Sequence, residues 1–128
     1  MLRISKLADY ACILMAYLGR QNIPLSAVEI STATHLQLPT VRKLLKALNK
    51  AGLLKASRGV QGGYQLVKPL KGIMLLAIIE AVDGPIAVTS CAQVKHSCDI
   101  SQHCPNQANW LSINRVVRDA LAHMPVGY

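Results

Sequence analysis

A basic helix followed directly by a glycine-rich hairpin pattern most constrains how this chain can fold. The predicted helix runs from Pro39, which suits a helix start, to Ala51, and Gly52 predicts its end. One face carries apolar residues at the i, i+3, i+4, i+7 spacing of a buried helix stripe. Those residues are Val41, Leu44, Leu45 and Leu48. The other face is polar and basic, so it is expected to meet solvent or a charged partner.

A shorter helix is predicted just before it. Ser26 and Glu29 have the spacing of a capping box, in which each satisfies the other's free backbone N–H, and the helix should continue to about Thr34. Two short helices joined by a tight turn, the second one basic, are typical of a helix-turn-helix. An ordinary antiparallel helix pair would give the same apolar pattern.

The next residues separate these two interpretations. Residues 53–57 and 64–67 read as two strands, joined by Arg58-Gly-Val-Gln-Gly-Gly63. A two-stranded hairpin after a helix-turn-helix is a wing, and its arginine could enter a narrow minor groove. The loop lacks the GK[ST] ending of a nucleotide-binding loop.

The excess charge of the chain is confined to this region. The net charge is +8, yet residues 30–79 contain eight basic and no acidic residues, while the remaining segments are neutral. Such segregation favours a surface that binds phosphates, and a simple soluble basic face is the alternative. We therefore predict double-stranded DNA as a partner. The predicted DNA-binding residues are Ser26, Pro39, Thr40, Arg42, Lys43, Lys46, Lys50, Arg58, Gln61 and Tyr64.

The remaining helices complete a mainly α fold with a two-stranded β wing: a winged helix-turn-helix plus a long C-terminal dimerisation helix. A first helix is expected from Ser5 to Leu18, and an apolar one from Ile73 to Val82. The last helix, from Pro105 to about Met124, has an apolar stripe that predicts a homodimer or packing onto its own domain. We divide the chain into a DNA-binding domain (1–84), a cysteine-rich loop (85–105), and the dimerisation helix with its tail (106–128).

Apolar segments are too short for a membrane span. The longest uninterrupted run, residues 73–79, is far below the roughly 20 residues that a bilayer requires. The N-terminus has no signal-peptide pattern. We therefore expect a cytoplasmic protein without a membrane partner, in a reducing compartment where thiols stay free.

The stretch from Cys91 to Cys104 holds three of the four cysteines and few apolar residues. Gaps of six and five residues between the cysteines are wider than the knuckles of structural zinc sites. They suit a loop around an iron–sulfur cluster held by thiolates. A zinc site with one histidine and metal-free redox-active thiols remain alternatives. Cys12, inside the first helix, reads as a small buried apolar residue.

These features together resemble the IscR/NsrR group of winged-helix regulators. The likeness rests on LRISKLADYA at residues 2–11, RGVQGGYQL at 58–66, EAVDGPI at 80–86 and the three spaced cysteines. Within the group, the chain is most similar to regulators of the SUF iron–sulfur assembly operon. The resemblance implies a homodimeric cytoplasmic repressor whose DNA affinity depends on a bound cluster.

The resemblance also implies a ligand set. Cys91, Cys98 and Cys104 match the three cluster cysteines of the group. The IscR-like branch has a histidine where this chain has Gln107, whereas the NsrR-like branch uses an aspartate in the first helix of the partner subunit, the place of Asp9. Asp9 is thus the expected fourth ligand. His103, His96 and Cys12 are the alternatives, and the cluster could be 2Fe–2S or 4Fe–4S.

No pairing of a nucleophile with a base and no nucleotide loop is present, so we predict no enzyme. The expected function is transcriptional regulation of iron–sulfur cluster assembly genes, with DNA affinity controlled by an iron–sulfur cluster. A regulator of the same fold that senses nitric oxide or thiol oxidation, or that binds zinc, is the alternative. A cluster carrier would need no wing.

Overall fold

The computed structural model describes residues 2–93 and 98–127, in the order helix, helix-turn-helix, hairpin, helix, loop and final helix. This order agrees with the predicted mainly α fold with a two-stranded wing. The elements are α1 (Lys6–Gly19), α2 (Ala27–Thr34), α3 (Leu38–Lys50), β1 (Leu54–Ser57), β2 (Gly63–Leu66), α4 (Leu75–Asp83) and α5 (Gln107–Ala122).

Side-chain caps fix where the first two helices begin. The Ser5 hydroxyl accepts a hydrogen bond from the backbone N–H of Ala8 at 3.0 Å and caps α1. The predicted capping box opens α2: Ser26 Oγ accepts from the Glu29 N–H, and Glu29 Oε1 accepts from the Ser26 N–H. Both starts therefore lie within one residue of the prediction, because caps are local in sequence.

One apolar core holds α1, α2, α3 and α4 together. The predicted stripe of α3 is buried in full, at no more than 1% exposure for any of its four residues. It packs against the apolar faces of α1 and α4. The largest fully buried side chains are those of Leu14, Met15, Ile30, Val41, Leu44, Leu45, Leu48, Ile73 and Ile78.

The wing is an antiparallel pair that is tied to the body of the domain. Leu54 pairs with Leu66 and Ser57 with Gly63. Tyr64 exchanges two backbone hydrogen bonds with Leu25, at 2.8 and 3.1 Å, so the α1–α2 connection adds a third, single-residue strand. Strand β2 is thereby fixed close to the loop of the hairpin, and residues 58–61 of that loop extend into solvent.

The last two helices differ from the prediction at their ends. Helix α4 begins at Leu75 and not at Ile73, since Met74 has an extended backbone and caps the helix. Helix α5 begins two residues after Pro105 and ends at Ala122. The chain then returns: the Leu75 N–H donates to the Met124 carbonyl at 2.8 Å, and Val126 is buried in the core at 5% exposure.

Candidate nucleic-acid interface and cysteine loop

Burial of the apolar stripe determines which side chains α3 presents outward. Because the four stripe residues face the core, Arg42, Lys43, Lys46 and Lys50 are exposed. Pro39 is exposed at the second position of the helix, and Thr40 is half-buried. A helix with this outer face can lie in the major groove, with early residues at base edges and later lysines at phosphates.

Side-chain hydrogen bonds close the turn between α2 and α3. Ser31 Oγ donates to the Leu36 carbonyl at 2.6 Å, and Thr34 Oγ1 donates to the Ile30 carbonyl at 2.7 Å. His35 takes a left-handed backbone conformation with φ of 62°, which allows the sharp change of direction. Ser26, half-buried, is occupied as the cap of α2 and keeps its hydroxyl proton for donation.

The wing places two of its three predicted DNA-binding residues at an exposed tip. Arg58 and Gln61 are exposed, and Gly59 between them has a φ of 102°. Tyr64 is half-buried, and it packs partly against the core. Val60, which is not among the predicted DNA-binding residues, is fully exposed at the tip. Only its place between glycines in the loop distinguishes it in sequence.

All eight basic residues between Glu29 and Glu80 are exposed. Within residues 2–93 and 98–127, the one ion pair joins Arg118 to Glu80, so none of the eight is neutralised by a partner there. Uncompensated cations on the helix-turn-helix and the wing are suited to the phosphates of a nucleic acid, with release of counterions. The eight are Arg42, Lys43, Lys46, Lys50, Lys55, Arg58, Lys68 and Lys71.

The cysteine loop carries three free, partly exposed thiols. Cys91 lies in a 3₁₀ turn at Ser90–Ala92, and Cys104 follows a second turn at Ser101–His103. Cys98 is also free and half-exposed. Thr89 Oγ1 and Cys91 Sγ are 3.1 Å apart, within hydrogen-bond range. Three accessible thiols could supply three of the four ligands of an iron–sulfur cluster.

The described part of one chain does not assemble these groups into a metal site. Across residues 2–93 and 98–127, no three His, Cys, Asp or Glu side chains lie close enough together to hold a metal ion. His103 is exposed beside Cys104, and His96 lies outside the described residues. The predicted ligand set therefore stays a prediction, and it requires either movement of the loop or a second subunit.

Asp9 and Cys12 line one cleft of about 910 Å³, beside the N-terminal segment, α4 and α5. Asp9 is exposed, whereas Cys12 is buried at 8% exposure. Burial raises the pKa of the Cys12 thiol, and the negative charge of Asp9 raises it further. Cys12 therefore stays protonated at neutral pH, which suits the core role that its sequence position predicts.

Helix α5 is tied to the rest of the chain by polar contacts that were not predicted from the sequence. Asn114 hydrogen-bonds the backbone of residues 86 and 88, and Arg118 pairs with Glu80 of α4 at 3.1 Å. In the sequence, an asparagine beside an apolar stripe does not indicate contacts with residues 26 and 28 positions earlier in the chain.

No residue of α5 is fully buried, so its predicted apolar stripe is only partly covered. Trp110 and Ile113 are about 40% exposed. Val117 and Leu121 are half-buried and line a second cleft of about 610 Å³, which the N-terminal segment and α4 complete. A continuous apolar strip from α5 to this cleft thus remains accessible in the single chain.

Comparison with known proteins identifies the family. Residues 4–127 match the Rrf2 family, described as iron-dependent transcriptional regulators. The chain belongs to the Rrf2 family. It is similar to the transcriptional regulator IscR of Vibrio campbellii, with 30% identity over 110 residues that cover 86% of this chain and 65% of that relative. The chain thus spans somewhat less than two thirds of the curated Rrf2 relative's length.

Solved structures support the same family fold. CymR, the global cysteine regulator of Bacillus subtilis, superposes with a TM-score of 0.71 at 26% identity, covering 98% of this chain and 94% of that one. The oxidised form of Staphylococcus aureus CymR gives a TM-score of 0.70, also at 26% identity, with 98% and 93% coverage. The winged-helix prediction is confirmed. Because these Rrf2 relatives are regulators, the prediction that the chain is no enzyme is confirmed too.

No described helix is long and apolar enough to cross a bilayer.

Proposed function

We propose that this Rrf2 protein is a transcriptional regulator that binds double-stranded DNA through α3 and the wing. The observation that carries the proposal is the set of eight exposed cations without ion-pair partners in the described chain, all on the segment from α3 to the turn before α4. In this mode, α3 enters a major groove and Arg58 reaches the adjacent minor groove. Ser26, Pro39, Thr40, Gln61 and Tyr64 would contribute the remaining contacts.

The experiment for this proposal is the salt dependence of DNA affinity. A duplex is first selected from a random library, and its dissociation constant is then measured across a salt series. Phosphate neutralisation predicts that log K falls linearly with log salt, with a slope of about −0.9 for each phosphate contact. A dissociation constant that does not change with salt would rule out this interface.

We further infer a homodimer, in which a second copy covers the apolar strip of α5 and its cleft. A two-fold dimer would present two copies of α3 about 34 Å apart, one DNA turn, and would favour palindromic operators. The same arrangement could bring Asp9 of one copy towards the cysteine loop of the other. We also infer a cytoplasmic location, which the proposed DNA binding and the three free thiols support.

Control by an iron–sulfur cluster is the favoured regulatory proposal. Cys91, Cys98 and Cys104 would hold the cluster with Asp9 as fourth ligand, or with His103, His96 or Cys12 in its place. A bound cluster would connect these cysteines across the loop, and the connection would depend on the presence and the redox state of the cluster. We propose iron–sulfur assembly genes as the targets and repression as the outcome, and the description of the Rrf2 family as iron-dependent transcriptional regulators supports a link to iron. The chemistry of the thiols fits the cluster, although one chain does not gather them into a site.

Sensing by the thiols themselves is the second candidate. The similarity to CymR across nearly the whole of both chains favours it, as do three half-exposed free cysteines. Two of these thiols could lose two protons and two electrons to a peroxide and form a disulfide. Nitric oxide would act on the same groups or on a cluster.

Anaerobic purification distinguishes these candidates. Visible absorption with stoichiometric iron and sulfide supports the cluster, whereas a colourless protein that loses two mass units on mild oxidation supports the disulfide. Zinc content in a colourless protein would support the zinc alternative.

A further inference from the structure

Residues 86–88, at the start of the cysteine-rich loop, are held on both sides by side-chain hydrogen bonds. The Val88 N–H donates to Asn114 Oδ1 at 2.8 Å, and Asn114 Nδ2 donates to the Ile86 carbonyl at 3.2 Å. From the other side, the Ile86 N–H donates to Glu80 Oε2 at 3.2 Å. Asn114 thus pairs with this segment as a neighbouring strand would, although it belongs to α5.

This contact lies very close to the first cysteine. Cys91 is three residues after Val88, a distance of about 10 Å of extended chain at most. Within those residues, Thr89 Oγ1 approaches Cys91 Sγ at 3.1 Å. The backbone of Cys91 therefore cannot move far while Asn114 holds Val88.

The same carboxylate that holds the segment also holds α5. Glu80 accepts from Ile86 through Oε2 and from Arg118 through Oε1 at 3.1 Å. Arg118 lies one helical turn after Asn114, so both side chains project from the same side of α5. Helix α4, the segment 86–88 and α5 thus form one connected polar network, at the boundary between the DNA-binding domain and the cysteine loop.

We propose that Asn114 is a positioning residue that couples the state of the cysteine loop to the placement of α5 against the DNA-binding domain. The inference rests on the proposed function, since it supplies the route by which a change at Cys91 alters DNA affinity. An asparagine is suited to this role because its carboxamide offers one acceptor and one donor group to Val88 and Ile86 together. An aspartate in place of Asn114 keeps the acceptor and loses the donor. A leucine there has a similar size and loses both.

The test compares wild type, Asn114→Leu and Asn114→Asp with Arg115→Leu, which changes the adjacent exposed residue of α5. The first readout is the rate at which a maleimide modifies Cys91 in metal-free protein, resolved by peptide mass spectrometry. Loss of the two hydrogen bonds should open the segment more often and speed modification of Cys91 about threefold to tenfold in Asn114→Leu. Modification of Cys104, which Asn114 does not hold, should change little, and Asn114→Asp should be intermediate.

The second readout is the ratio of DNA dissociation constants between protein reconstituted with ferrous iron and sulfide and metal-free protein. In Asn114→Leu this ratio should move towards one, while Arg115→Leu should keep the wild-type ratio. Unchanged Cys91 reactivity, or faster reactivity with an unchanged ratio, would overturn the inference. A ratio of one already in wild type would instead refute cluster control, and Cys91 reactivity alone would then decide whether Asn114 positions the loop.

Discussion

Gly63 stands where a side chain would collide with the backbone of Leu25. Its φ is +145°, and a Cβ atom there would lie 2.5 Å from the Leu25 carbonyl. Gly63→Ala should therefore strain the backbone and break the bridge between Leu25 and Tyr64. We expect a loss of about 2–4 kcal/mol in the free energy of unfolding, measured in urea.

Gly72→Ala is the matched control for this substitution. A Cβ at Gly72 would meet only the Lys68 side chain at 3.7 Å, without a positive φ. Its effect should stay within about 0.5 kcal/mol. Equal destabilisation by the two alanines would show that the bridge at Gly63 does not secure the wing.

Cys12 makes the stability of the metal-free protein sensitive to alkaline pH. Burial and the Asp9 charge raise the pKa of its thiol above the ordinary 9.0, so the folded chain retains a proton that the unfolded chain releases. The contribution of Cys12 is complete below pH 9.0 and is lost as the pH rises above it. The loss at about pH 10 is at most about 1.4 kcal/mol.

The measurement is urea unfolding of wild type and Cys12→Ala at about pH 7 and about pH 10. Wild type should be the more stable at neutral pH, because the alanine leaves a cavity. The difference between the two should narrow at alkaline pH. A difference that stays constant would mean that the thiol ionises equally easily in the folded and unfolded chain.

At the scale of elements, the proposed DNA complex has two separable kinds of contact from α3. Arg42 lies in the first turns of the helix, where side chains can reach base edges, and Lys50 lies at its end. Arg42→Ala should cost about 1–3 kcal/mol and relax base preference in a selection experiment. Lys50→Ala should weaken binding to all sequences alike and reduce the salt slope by about one. If Lys50→Ala relaxed base preference and Arg42→Ala only reduced the salt slope, the helix would lie in the opposite direction along the groove.

The elements also show which parts of the fold were legible in sequence. The stripe of α3, the capping box of α2 and the apolar spacing of α1 depend on residues three or four positions apart, so these helices were predicted to within a residue or two. The contacts of Asn114 and the burial of Val126 depend on chain segments far apart in sequence, and no local pattern encodes them. Likewise, the spacing of Cys91, Cys98 and Cys104 predicts a ligand set, but not which side chain completes it.

For the whole molecule, the proposed homodimer places a second copy on the apolar strip of α5. Ile113→Glu would bury a charge in that interface, so the dimer should lose about 3 kcal/mol and dissociate about 100-fold more readily. Sedimentation equilibrium measures this directly. Ser112→Glu adds the same side chain about 100° further around the helix and should leave the dimer intact. Equal effects of the two variants would place the interface elsewhere.

DNA binding controlled at the cysteine loop is the central claim, and one side-by-side measurement tests it most directly. The DNA dissociation constants of wild type and Cys98→Ala are determined anaerobically on the selected duplex, with iron and sulfide assayed in the same samples. Wild type should contain both and bind with an affinity that differs about 5- to 150-fold from that of the colourless variant. Equal affinities, with wild type free of iron and sulfide, would contradict the claim.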